Sequence, residues 1–337
     1  MLFRNYYRNS FNPPNVPKVN EREFAFQFFE SESMVRHRGF SNWGELAKFL
    51  VDKAPRHVYM SSAYFKNPQA EDMEAKGWLG ADLVFDIDGD HLPTEECKSS
   101  ELVTLGCLND ALNEARKLVE VLVYEFGVEE KYIRVTFSGH RGFHVHVEGP
   151  DEVIRLGQDE RRMIVEYLTA KSNVVNQLMV RDKAGRGRLV KVDEADERVL
   201  KAYGSLGRLV KALREHNIKA SVRGIGKIPQ DVFAIHVDEV VTIDVNRLIR
   251  MPNSLHGKTG LRVAELTIDE LYGDLQKIIE KSIAFKRGSP RVRLTQRIGV
   301  REVLGERINV NEPGEEESLP IYVAVYLMAK GLAQLAE

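Results

Sequence analysis

The segment Asp82-Leu83-Val84-Phe85-Asp86-Ile87-Asp88-Gly89-Asp90 alternates apolar and acidic residues with the period of a strand. Leu83, Phe85 and Ile87 then point to one face, and Val84, Asp86 and Asp88 to the other. Two carboxylates so placed are about 6.5–7 Å apart along the backbone. Keeping both ionised against an apolar sheet is costly unless a cation neutralises them. Hard divalent ions with oxygen ligands meet that need, and a pair of them is the usual clamp for phosphoryl transfer. The bland alternative is a strand end whose aspartates face water.

A second cluster runs Phe137-Ser138-Gly139-His140-Arg141-Gly142-Phe143-His144-Val145-His146-Val147. Two strand-like pieces flank a turn with two glycines, whose backbone N–H groups can approach an anion closely. Arg141 supplies a fork of donors suited to phosphate oxygens, and His144 and His146 share the face opposite Phe143, Val145 and Val147. A third segment, Val241-Thr242-Ile243-Asp244-Val245, reads as a strand with Asp244 turned away from its apolar neighbours. Downstream, Ser254-Leu255-His256-Gly257-Lys258-Thr259-Gly260 offers His256 and Lys258 to a phosphate. It is not a P-loop, because Asn253 stands where that motif needs glycine.

These residues need elements to hold them. Strands are predicted at Leu83–Asp88, Ile133–Phe137, Phe143–Val147 and Val241–Val245, and a helix from about Leu108 to Phe126, stopped by Gly127. Further helical patterns cover Asp159–Leu168 and Leu206–His216. Strands mixed with helices, without regular βα alternation, predict an α+β fold: a mixed or antiparallel sheet core flanked by helices, with a less regular, mainly helical insertion. The expected division is a core of residues 1–150 and 233–300, a variable basic insertion at 151–232, and an acidic loop with a C-terminal helix at 301–337. The apolar stretch Leu319 to Ala336, broken by Lys330 and Gln334, reads as a packed helix and not a membrane span.

With 337 residues, 43% apolar and 29% charged, the chain is globular in composition, which excludes a disordered, collagenous or disulfide-scaffold protein. The polar N-terminus excludes a signal peptide's apolar region, and a soluble, intracellular, cytoplasmic protein is expected. Its 48 basic and 50 acidic residues leave a net charge of −2, yet the charge is unevenly spread. Thirteen basic residues against seven acidic ones lie between Arg181 and Asp231, and seven against none between Lys281 and Arg301. Glu312 and Glu315 to Glu317 concentrate the acid. Two basic segments suit a polyanion groove.

Taken in order, Asp86-Ile-Asp88, Ser138-Gly-His-Arg141-Gly-Phe-His144, Ile-Asp244-Val and Ser-Leu-His256-Gly-Lys258-Thr-Gly resemble the catalytic small subunit of archaeal and eukaryotic DNA primases. Tyr6-Tyr7, Arg22-Glu23-Phe24, Val35-Arg36-His37 and Tyr59-Met-Ser61-Ser62-Ala63 extend the resemblance. It runs from about residue 5 to residue 262 and weakens through 150–235. The resemblance implies three catalytic, metal-binding carboxylates at Asp86, Asp88 and Asp244, taking Mg²⁺ or Mn²⁺. It implies a triphosphate pocket of Ser138, Arg141, His144, His256 and Lys258, with Arg36 a further contact. His140 falls where the family often has Arg, so its place in that pocket is less certain. The implied activity is two-metal nucleotidyl transfer, making short RNA primers, with DNA primers also open, on a single-stranded DNA template during replication. The implied partners are nucleoside triphosphates, the template and a larger regulatory subunit in a heterodimer, with no membrane and a place on the nucleoid. The C-terminal helix and the 281–301 segment are candidate partner or template contacts.

One departure concerns a zinc knuckle common in the family. Here Cys97 and Cys107 stand as remnants, with Ser99 and Thr104 near the other two ligand positions. His91 offers a third ligand and the fourth is missing, which argues against structural zinc; a disulfide between the two cysteines is left open. Two rival functions remain. A stand-alone primase-polymerase in repair uses the same residues. A haloacid-dehalogenase-like phosphatase would use Asp86 as nucleophile and Asp88 as acid/base, but Asp90 stands where it wants Thr or Val.

Overall fold

The computed structural model describes residues 1–98, 102–170, 179–181, 187–189, 208 and 234–336. Two four-stranded antiparallel sheets carry the site. One is ordered Leu248–Arg250, His57–Ser61, Phe24–Gln27, Met34–Arg38, and the other Ala264–Leu266, Ile133–Phe137, Gly142–Val147, Leu83–Asp88. The α+β class is as expected, and so are three of the four strands, one of them longer by Gly142. Phe85, Ile87, Val135, Phe137, Phe143 and Val145 bury themselves in a core shared with the helix Leu105–Tyr124. That helix begins three residues before its apolar periodicity suggests, because the Thr104 hydroxyl accepts the Cys107 N–H and caps it. The first sheet packs Phe24, Phe26, Val58 and Met60 against the helix Trp43–Lys53 through Leu46 and Leu50.

Gly142 lies opposite Asp88, where a Cβ would come within 1.8 Å of the Ile87 carbonyl oxygen. Only glycine lets the two strands close at the end that holds Asp88.

The sheets are joined by a buried ionic cluster. Arg22, fully buried, pairs with Asp82 at 2.8 Å and donates to the Ser61 carbonyl at 2.7 Å and the Tyr64 hydroxyl at 2.8 Å. From the helix Gln158–Leu168, Arg161 donates to the carbonyls of Asp82 at 3.0 Å and Ala81 at 2.8 Å. The Ser62 N–H, beside them, donates to the Arg247 carbonyl at 2.8 Å.

Two expectations are corrected. Val241–Val245 is not a strand, because a helix spans Glu239–Ile243. Its β-branched residues favour a strand, but Asp238 accepts the N–H groups of Val240 and Val241 at 2.9 and 3.3 Å, and this cap fixes a helical turn. The stretch from Leu319 is helical only over Ile321–Ala329; Gly331 takes a positive φ of 76° and the chain ends in the strand Ala333–Leu335. The basic and acidic C-terminal segments pair in part. Arg291 and Arg293 both pair with Glu316 across antiparallel strands, and Arg297 pairs with Glu312. The helix expected at Leu206–His216 and most of the basic insertion lie outside the described residues. Among the described residues no helix is long and apolar enough to cross a membrane.

Removing one partner of a buried ion pair leaves the other charge uncompensated, at a cost of about 3–5 kcal/mol. Arg22→Met should therefore lower the unfolding free energy by that amount in a denaturant titration. A loss under about 1 kcal/mol would mean that the cluster does not hold the sheets together.

Candidate active site

A cavity of about 210 Å³ opens between the two sheets. Asp86, Asp88, Ser138, His140 and His144 line it from one sheet and its connecting turn, Tyr59 and Arg250 from the other, and His256 from the loop beyond.

Strand alternation carries Asp86 and Asp88 to the cavity while Phe85 and Ile87 are fully buried on the opposite face. Below them Val84, Val241 and Ile249 form a small apolar cluster that docks the Glu239–Ile243 helix on the carboxylate strand. This docking brings Asp238 to Asp86: the Asp238 N–H donates to the Asp86 carbonyl oxygen at 2.8 Å. Burial, then the negative charges of Asp88 and Asp238, push the Asp86 carboxyl up to about 7 from its ordinary 3.8. His144 Nε2 stands 3.7 Å from Asp86 Oδ1. An oxygen-rich group that resists its own ionisation is the donor set a hard divalent cation needs, and the residues fit one.

Neither Asp244, expected as the third carboxylate, nor Asp238 lines the cavity, but it is the charge of Asp238 that bears on Asp86. The Asp244 backbone N–H closes the short helix on the Val240 carbonyl, its carboxylate accepts the Asn246 N–H at 2.9 Å, and its charge bears on Arg161. Face-matching to Asp86 required a strand, and the helix breaks the alternation. Asp238 is the acid that sequence reading missed; its signal was Asp-Glu before Val-Val, a helix N-cap with acid in the first turn.

Facing the carboxylates is a cationic and imidazole pole. His57 Nδ1 accepts from Arg250 at 2.6 Å and from the Gly257 N–H at 3.2 Å, which ties the Ser-Leu-His-Gly turn to the guanidinium. Arg250 also lies over the Tyr59 ring at 5.1 Å. The rings of His140 and His256 stack at 4.8 Å and 7°, and the Thr259 hydroxyl donates to the Gly139 carbonyl at 2.6 Å, joining the two loops. Burial, reinforced by Arg250, lowers His144 to about 3 and holds His256 well below its ordinary range. Both are neutral at physiological pH and offer one N–H each. The Ser138 hydroxyl accepts the N–H groups of His140 and Gly142 at 3.3 and 3.2 Å, which shapes the turn.

Three expected contacts do not line the cavity. Arg141 pairs with Asp90, whose own N–H donates to Asp88 Oδ1 at 3.1 Å, so Arg141 braces the carboxylate strand. Arg36 pairs with buried Glu23 at 3.1 Å, and Glu23 also holds buried Lys76. Lys258 donates its N–H to His256 Nδ1 at 3.3 Å. Cys97 and Cys107 are joined in a disulfide. Their sulfurs pack under Gly89, where a Cβ would meet Cys107 Sγ at 2.6 Å, so the bridge supports the turn between Asp88 and Asp90. A second acidic group, Asp82 and Glu148 with His146, is neutralised by Arg22 and Arg134 and belongs to the joint between the sheets.

The raised Asp86 carboxyl has a sign that can be tested. Between about pH 4 and 7 the folded chain keeps a proton that the unfolded chain releases, so Asp86 withdraws stability as pH rises through that window. A cation that takes the proton's place restores it. Mg²⁺ or Mn²⁺ should therefore raise the melting temperature more at about pH 8 than at about pH 5.5 in scanning calorimetry. Equal shifts at both would place the cation away from Asp86.

Residues 85–268 match the family model described as DNA primase small subunit. The chain is 43% identical over 335 residues to the DNA primase small subunit PriS of Pyrobaculum islandicum, covering 99% of this chain and 98% of that one. Identity to the corresponding protein of Pyrobaculum calidifontis is 45% over 327 residues, 97% and 96% of the two chains. With that of Archaeoglobus fulgidus it is 36% over 338 residues, 98% and 95%. The match runs through both sheets and the cavity between them, and it removes the phosphatase alternative. The chain belongs to the DNA primase small subunit family, the catalytic, nucleotidyl-transferring subunit of that enzyme.

Proposed function

We propose that the cavity is the nucleotidyl-transfer site, extending short RNA or DNA primers on a single-stranded DNA template. The observation that carries this reading is one small cavity with carboxylates at one pole and Arg250, His140 and His256 at the other. A triphosphate needs both: oxygen ligands for its metals and donors for its outer phosphates.

Asp86 and Asp88, with Asp238 in the place expected for Asp244, would hold the metal. When bound, Mg²⁺ or Mn²⁺ there would activate the 3′-hydroxyl and neutralise charge on the departing pyrophosphate. His144 stands near Asp86 and, being neutral, does not compete with the cation's charge. Arg250, held in line by His57, binds phosphate oxygens with a planar fork. His140 and His256 add uncharged N–H donors, and the Ser138 turn orients them. Arg141 and Lys258 add positive charge that bears on His140, whereas Arg36 is paired with Glu23. Positioning and electrostatics supply the rate enhancement. Small-subunit membership implies a larger partner; a heterodimer with a regulatory subunit, acting in replication at the nucleoid, completes the proposal.

Incorporation of labelled nucleotides on single-stranded DNA with Mg²⁺ or Mn²⁺ tests the assignment. Asp86→Asn and Asp238→Asn should each lose on the order of 10²-fold or more in rate. Asp244→Asn should stay within about threefold of wild type. The reverse pattern at 238 and 244 would return the third carboxylate to Asp244, and full activity in Asp86→Asn would reject the metal assignment altogether.

A further inference from the structure

The helix Ile321–Ala329 ends with Lys330 as its C-cap. A lysine there ordinarily serves the helix's own last carbonyls through the macrodipole. Here Nζ of Lys330 lies 2.9 Å from Nε2 of His140, in the turn between the strands Ile133–Phe137 and Gly142–Val147. His140 lines the cavity and carries the ring stacked on His256. Burial, and then the charges of Lys330, Arg141, Arg250 and Lys258, keep this imidazole neutral.

An ammonium has donors only, so Nε2 of His140 must be the acceptor and the ring proton must sit on Nδ1. The lysine is itself aimed. Its backbone N–H donates to the Tyr326 carbonyl at 3.1 Å, and its amine lies 5.8 Å from the centre of the Tyr326 ring. Tyr326 is buried, and its hydroxyl accepts the Val103 N–H at 3.2 Å, just before the long helix. A chain of contacts thus runs from the body of the protein through the C-terminal helix to an imidazole in the cavity wall.

We propose that Lys330 is a positioning residue of the nucleotide pocket: it fixes the tautomer of His140 and adds a positive charge behind the stacked imidazoles, so that the C-terminal helix helps bind the outer phosphates of an incoming nucleoside triphosphate. This rests on the nucleotidyl-transfer reading of the cavity. The pairing depends on tertiary contact across 190 residues of sequence, and none of the motifs in the first 262 residues contains Lys330.

Two measurements on the full chain test it. Isothermal titration with Mg²⁺-ATP should show about tenfold weaker binding for Lys330→Met, the scale of one charged hydrogen bond. Steady-state incorporation should show the same change in KM with a smaller change in kcat, and Lys330→Arg should recover most of the affinity. Nitrogen-15 spectra of the histidine rings should report His140 protonated on Nδ1 in wild type, and that preference should be lost in Lys330→Met. A folded Lys330→Met protein that binds ATP within about twofold of wild type would overturn the proposal, as would a wild-type His140 protonated on Nε2. If Lys330→Met does not fold, the wild-type tautomer and Lys330→Arg decide the matter. Wild type that neither binds ATP nor incorporates nucleotide would sink the reading of the cavity itself, while the tautomer would still judge the contact.

Discussion

Two acidic side chains on one face of a strand, with a third brought beside them, cannot all be ionised in a half-enclosed space without a countercharge. Asp86 shows the strain directly, its carboxyl raised to about 7 by burial and by Asp88 and Asp238. The surrounding architecture works against that repulsion. Apolar contacts of Val84, Val241 and Ile249 force the third acid into place, and Arg141 steadies the strand from outside through Asp90. Arg250 faces the acids from the other sheet. A site built this way is poised for a cation and for the anion that a cation brings.

The histidines of the pocket solve a complementary problem. Charged imidazoles beside Arg250 would repel it, and burial removes that charge from His57, His140, His144 and His256. As neutral groups they accept and donate with direction. His57 takes a hydrogen bond from Arg250, and His140 takes one from Lys330. The pocket's positive charge therefore resides on Arg250 and Lys330, while the rings between them set geometry.

Arg250 sits on the sheet opposite the carboxylates, so its separation from them depends on the joint between sheets. Arg22 and Asp82, both buried, with Arg161 capping the neighbouring carbonyls, make that joint rigid in a way that apolar packing alone does not. Its cost is desolvation, repaid by several simultaneous hydrogen bonds to each guanidinium. In the C-terminal strands, acidic and basic segments separate in sequence also meet, Arg291 and Arg293 sharing Glu316.

Local pattern was enough to place the Leu83–Asp88 strand, the Ser138–His144 turn and the Leu105–Tyr124 helix, because period-two alternation, paired glycines and a periodic apolar face are short-range properties. The ordered set of motifs likewise sufficed for the family. Tertiary structure decided the rest. A side-chain cap turned a β-branched run into a helix, which put the charge of Asp238 rather than that of Asp244 on Asp86. Register and sheet packing brought Arg247 and Arg250 to the cavity, and folding of the C-terminus delivered Lys330 to His140. Chain pattern determines which residues can share a face of one element; which elements then face each other depends on burial and charge summed over the whole fold, and no window of sequence contains that sum.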